Sequence, residues 1–161
     1  MNRSDILVPV NLEKDCFEGL KFAAHMADDM SLHATLLHVV ELNIFPLDRR
    51  VYDEVCLDYQ RRLEDIAGCL PEKFRRLCVR IGKPHEEIVA EARDSGVELI
   101  VMGAPKNNRR RWPFRSTTVE RVVRDASCQT LIIPRPWKTA AEHYRLPASL
   151  FDRTPREVMV Q

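Results

Sequence analysis

The stretch MGAPKNNRRRWPFRSTTVERV, Met102 to Val122, gathers the residues best suited to chemistry. Lys106, Arg109, Arg110, Arg111 and Arg115 follow one another with no acid between them. An apolar run, ELIVMG, leads into this stretch, and a helix-like segment, STTVERVVRDA, leads out of it. A basic turn between a strand and a helix start can hold an anion. The first helical amides are unpaired, and the helix dipole is positive at that end. Such turns normally use glycine where backbone must approach a phosphate, and here only Gly103 is present. Thr117 with Glu120 also matches a capping box, which accounts for both residues without any ligand. The run from Arg109 to Arg111 can be a solvated loop tip. Trp112, Pro113 and Phe114 favour a contact surface instead, or a flap folded over an empty cleft.

Other chemistry is sparse. The five cysteines, Cys16, Cys56, Cys69, Cys78 and Cys128, form no C-x-x-C pair. They signal neither zinc nor a redox dithiol, and buried small hydrophobes are the expected role, best fitted by Cys78. His25, His33 and His85 are too dispersed for a metal set. His38 alternates with Leu37 and Val39 and reads as a strand histidine with a local hydrogen bond. No general base, metal pair or nucleophile arrangement accompanies the basic loop, so an enzyme is not expected, weak nucleotide hydrolysis aside. With 25 basic and 24 acidic residues, the chain lacks the charge of a nucleic-acid binder. The opening residues have no h-region of a signal peptide, and no segment reaches a membrane span. A cytoplasmic protein is the expectation.

The elements that must position the loop follow from periodicity. DILVPV, ATLLHVVEL, FRRLCVRIG, VELIVMG and QTLIIP read as strands. The third is more polar and is placed nearer an edge; the fourth is almost wholly apolar and is placed centrally. Phe17, Leu20, Ala23, Ala24, Ala27 and Met30 recur at helical steps, as do Val51, Val55, Tyr59, Leu63, Ile66 and Leu70. Gly68 and Pro71 end the second of these helices. Pro84 near the start and Gly96 at the end frame a third. Val119, Val122, Val123 and Ala126 share a face on the fourth. Alternating strands and helices require crossovers, hence an α/β fold: an open, mainly parallel five-stranded sheet with helices on both faces. Ligands in such sheets sit beyond the carboxyl ends of the strands, where strand order reverses. Residues 1–136 form this domain. Residues 137–161 form a C-terminal extension, either loosely ordered or an arm lying on this domain or a partner.

Four stretches, in order and at ordinary spacing, resemble the universal stress protein family: ILVPVN, LLHVVE, GKPHEEIVAEARDSGVELIVMG and STTVERVVRDASCQTLIIPR. The resemblance runs to Arg135. It implies a Rossmann-like, adenine nucleotide alpha hydrolase-like fold and a homodimer paired through the last strand. QTLIIP would otherwise be an exposed apolar edge. The family's nucleotide binders carry G-x-x-G, nine residues, then G-[ST]. Gly103 matches the first glycine, Lys106 stands for the second, Ser116 for the third, and Thr117 matches the residue after it. Asn11 stands where the family has aspartate. By the same carry-over, Val10, Val39 and Met102 would lie against a base and Thr118 at the phosphates, with ATP as the implied cofactor.

Lys106 and Ser116 each add a Cβ where amides must reach phosphate oxygens. A non-glycine residue at positive φ costs about 1–2 kcal/mol, so two of them would weaken ATP binding by more than roughly tenfold. Charge opposes this loss. Lysine and arginine contacts are worth about 1.5–3 kcal/mol each if they converge on one anion. Asn11 bonds a ribose hydroxyl less strongly than a carboxylate. Because the three positions change together, the sequence favours a stress-protein-like regulatory and interaction module whose nucleotide loop is degenerate. The alternative is an ATP-binding protein that holds its phosphates at the Thr117 helix start with Lys and Arg. The Arg109–Arg115 segment would then meet an anionic ligand or a protein partner.

Overall fold

The computed structural model describes residues 5–12, 17–41, 48–74, 76–105 and 117–134. Strands and helices alternate along these residues: β1 (Ile6–Val10), α1 (Glu18–Asp29), β2 (Ala34–Val40), α2 (Arg49–Ala67), β3 (Arg76–Ile81), α3 (Pro84–Ser95), β4 (Leu99–Gly103), α4 (Thr118–Asp125) and β5 (Gln129–Ile133). The strands form one sheet in the order β3-β2-β1-β4-β5, and each ladder is parallel. The expected polar edge strand is β3, and the apolar fourth strand lies in the interior between β1 and β5. The 137–161 extension and the loop from Lys106 to Ser116 lie outside the described residues.

Alternation along each strand builds two cores, because successive side chains point to opposite faces. Ile6, Val8, Val10, Leu36 and Val101 pack with Leu20, Ala23 and Ala24 of α1 and Leu63 and Ile66 of α2. Leu7, Leu37, Ile100 and Met102 pack on the other face with Ile88 and Ala92 of α3 and Val122 of α4. Two residues of the expected stripes fall outside. Met30 is 64% exposed, because α1 ends at Asp29 and Met30 serves as its C-cap. Val123 is 53% exposed, while Val119 and Ala126 pack on the second core. Helix α4 has only eight residues and leans on α3, so only part of its stripe is covered. Gly96 ends α3 in the left-handed conformation at φ 63, where glycine carries no Cβ penalty, and Pro84 opens that helix.

The polarity of β3 has a specific cause. Glu91 of α3 is 2% exposed and sits among cations. Its Oε2 accepts from Arg80 Nε at 2.8 Å, and its Oε1 from Arg76 Nη2 at 3.0 Å and from Ser95 Oγ at 2.5 Å. Arg80 also reaches Glu87 at 3.3 Å and Asp94 at 3.0 Å. Arg76, Cys78 and Arg80 alternate along β3, so the strand turns charge rather than aliphatic bulk toward α3. Cys78 is therefore not the purely apolar filler the sequence suggested. It is half-buried, with Sγ 3.6 Å from Glu91 Oε2. Burial pushes its thiol pKa up, and the neighbouring carboxylate adds to that shift. The hydrogen bond to Arg80 holds the Asp94 carboxyl below the usual carboxylate range. The stabilisation from this pair is full above the ordinary carboxylate pKa and is lost as pH falls through the depressed one.

Arg80→Ala would strip a buried carboxylate of its main partner, which typically costs about 3–5 kcal/mol. Urea unfolding at neutral pH is expected to give a loss near the lower end, about 3 kcal/mol, because Arg76 and Ser95 remain. A loss below about 0.5 kcal/mol would show that the Arg80 pairs are no stronger than surface ion pairs.

Candidate functional site

The sheet opens at one place. Strand order reverses between β1 and β4, and their ladder registers only Ile6 with Leu99 and Leu7 with Ile100. By contrast, β1 stays paired with β2 to the level of Val10 and His38, and β4 with β5 to Gly103 and Ile133. The two central strands thus part before their carboxyl ends. A crevice at a switch point is where open parallel sheets take ligands.

Helix α1 closes on this opening through Gly19. A Cβ built there would lie 2.5 Å from the Gly103 nitrogen and 2.8 Å from the Met102 carbonyl carbon. Only a residue without a side chain lets the first turn of α1 sit on the β4 backbone at this distance. The sequence reading did not single out Gly19. Its signal, a glycine inside an otherwise periodic helix, is weak by itself.

The turn after β1 is fixed from below. His38 is 1% exposed, and its Nδ1 lies 3.0 Å from the Val10 carbonyl oxygen and 3.5 Å from the Leu12 nitrogen. A carbonyl oxygen can only accept, so the shorter contact is a hydrogen bond in the tautomer that carries its proton on Nδ1. Arg62 of α2 donates from Nη2 to the Leu12 carbonyl at 3.0 Å. Tyr59 stands beside both groups. Its ring centroid is 4.5 Å from that of His38, and the Arg62 guanidinium carbon lies 4.9 Å from it. The local hydrogen bond expected of His38 is present. Tyr59 was expected only as part of the α2 stripe and Arg62 was not singled out, because helical spacing does not reveal what lies above the helix.

At the far side of the crevice, α4 starts with its own cap. The Glu120 amide donates to Thr117 Oγ1 at 3.2 Å, and the Thr117 amide donates to Glu120 Oε2 at 2.8 Å. This is the capping box read from the sequence. It occupies the amides of Thr117 and Glu120, so an anion at this end would draw on those of Thr118 and Val119.

The residues carried over from the nucleotide pattern all fall at the carboxyl side of the sheet where they are described. Asn11 is exposed just past β1, Met102 and Gly103 end β4, Val39 is near the end of β2, and Thr117 and Thr118 open α4. They do not share one face. Val10 belongs to the core under α1 and α2, whereas Val39 and Met102 pack on the α3 and α4 side. Lys106, Ser116 and Arg109–Arg115 lie outside the described residues, as do Trp112, Pro113 and Phe114. Among the described residues, no group of three or more His, Cys, Asp or Glu is placed to hold a metal ion, and no helix is long and apolar enough to cross a membrane. Burial raises the thiol pKa of Cys56 and Cys128, as it does that of Cys78, which disfavours their thiolate forms.

Comparison with known proteins agrees with this geometry. The model described as "Universal stress protein family" matches residues 2–134. No curated protein matches the chain significantly. Among solved structures, the universal stress protein UspA from Lactobacillus plantarum is 21% identical, with a TM-score of 0.60; the match covers 83% of this chain and 99% of that one. A universal stress protein solved in complex with cAMP is 15% identical over 81% of this chain and 98% of its own, at a TM-score of 0.60. One from Archaeoglobus fulgidus, solved in complex with dAMP, is 18% identical over 83% and 99%, at a TM-score of 0.51.

The capping box makes a measurable demand. Thr117→Ala is expected to lower stability by about 1 kcal/mol, and Thr117→Ser to restore most of it. Thermal and urea unfolding of the two variants checks this; an alanine variant as stable as the parent would show that the box carries no weight.

Proposed function

The chain belongs to the universal stress protein family, and within that family we propose that it acts as a dimeric regulatory and interaction module of the cytoplasm whose nucleotide loop has lost or altered ATP binding. One observation carries this reading: Asn11, Lys106 and Ser116 replace three residues of the family's nucleotide pattern together while the spacing stays intact. Two of the changes remove glycine, which alone lets a loop wrap phosphate with bare amides. The third removes a carboxylate from the ribose side. The capping box at the start of α4 supports the reading, since it engages the Thr117 and Glu120 amides and leaves fewer for an anion. Relatives solved with cAMP and dAMP show that the fold itself can take an adenine nucleotide.

A second reading draws on the same residues. Lys106 and the arginines of Arg109–Arg115 would replace glycine backbone with charge, and the triphosphate would rest at the start of α4. An anion other than ATP, or a protein partner, would meet the same segment. No hydrolytic machinery is proposed in either case.

Pairing through β5 is part of the proposal. The strand lies at the sheet edge, with Leu131 on its exposed side and Val123 of α4 uncovered. An apolar edge strand of this kind favours pairing with a second copy.

The test is calorimetric titration of Mg-ATP into the parent protein and into the double variant Lys106→Gly/Ser116→Gly. Binding at least about tenfold tighter in the double variant supports loss at the loop. Tight binding by the parent would overturn the reading in favour of the lysine and arginine cradle. If neither binds, the block includes Asn11 or the arginine–aromatic segment. Light scattering on the same samples is expected to give a dimer mass, and Leu131→Lys to give a monomer; a monomeric parent at micromolar concentration would contradict the pairing.

A further inference from the structure

The turn that carries Asn11 is held by groups from two other elements, and neither group belongs to the nucleotide pattern. We propose that Arg62 and His38 are positioning residues that lock the Val10–Leu12 turn and so set where Asn11 stands at the crevice, whether or not a ligand is bound. Only the identity of what Asn11 meets rests on the function proposed above; the lock itself does not.

Three features converge on the role. First, the two bonds grip successive parts of one turn. His38 Nδ1 meets the carbonyl of Val10, and Arg62 Nη2 donates to the carbonyl of Leu12, each at 3.0 Å. The residue between them is Asn11. Second, the grip is rigid. His38 is almost fully buried in β2, and its ring packs 4.5 Å from Tyr59. The Arg62 guanidinium lies over the same tyrosine at 4.9 Å. A planar guanidinium stacked on an aromatic face loses little freedom when it makes a further hydrogen bond. Third, β1 needs such support at this point. Its ladder with β4 has already ended at Leu7 and Ile100, so within the sheet the residues beyond pair with β2 alone. Preorganising a ligand group from beneath in this way raises affinity by removing the ordering cost at binding.

The consequence is a mechanical link between α2 and the crevice. A change in the seating of α2 moves Leu12 and Asn11 through Arg62. Helix α2 also carries exposed Tyr52 and Leu57, but nothing on those residues is needed for the lock.

Hydrogen exchange read by NMR on the full chain tests this. In Arg62→Met, which keeps length and bulk but has no donor, exchange at the Asn11 and Leu12 amides is expected to speed up by tenfold or more beyond any change at the Leu36 amide in the core of β2. Arg62→Lys, with a donor and charge retained, is expected to recover a large part of that protection. Equal acceleration at Leu12 and Leu36 would mean that Arg62 contributes only to overall stability, and would overturn the proposal; so would no change at either. A second measurement needs no variant. Nitrogen-15 spectra of the parent are expected to show a proton on His38 Nδ1, as donation to Val10 demands. Protonation at Nε2 instead would remove half of the lock and overturn it. Titration of the parent with ATP decides separately what the crevice binds: a parent that binds tightly refutes the function proposed above and leaves the exchange ratio to judge Arg62.

Discussion

The structure depends on β1 and β4 parting before they end. Their ladder stops at Leu7 and Ile100, although each strand continues in register with its other neighbour. Unpaired central strands expose backbone amides and carbonyls, which must find partners or water. The fold meets this demand from both sides. On the β4 side, α1 presses its first turn onto Met102 and Gly103, an approach that only Gly19 permits. On the β1 side, His38 and Arg62 take the carbonyls of Val10 and Leu12. The crevice is thus a shaped opening with both lips held.

The two faces of the sheet are built differently. Under α1 and α2 the core is aliphatic, from Ile6 through Leu63 and Ile66. Under α3 it is aliphatic toward β4 and ionic toward β3, where Glu91 draws in Arg76 and Arg80. A buried carboxylate among guanidiniums adds little net stability over an apolar pair, but it is costly to break. It also places charge along an edge strand, which discourages pairing there and leaves β5 as the apolar edge.

Much of this was legible in the sequence for physical reasons. Runs such as ELIVMG can only be strands covered on both faces, and alternation with helices forces parallel crossovers. Pro84 and Gly96 bracket α3 because each is suited to one helix end only. Thr117 and Glu120 declare a cap because the motif is local and self-contained. What escaped was non-local. Glu91 and Arg80 are ordinary helix and strand charges until the strand is laid beside the helix. Nothing in the helical period singles out Arg62 or Gly19. Met30 and Val123 fit their stripes by period and fail by geometry, one at a helix end and one on a short helix. The candidate site was legible as a set of positions at one sheet edge. Its division between two faces was not, because carry-over from a pattern assigns roles without assigning sides.

The proposal stands or falls on one point: with Lys106 and Ser116 in place of glycine and Asn11 in place of aspartate, bare backbone would no longer wrap a triphosphate after β4. Native mass spectrometry of the protein as purified, followed by denaturation and chromatography of whatever is released, tests this most directly. The account predicts protein masses free of adenine nucleotide, whereas ATP carried at near one molecule per chain would contradict it.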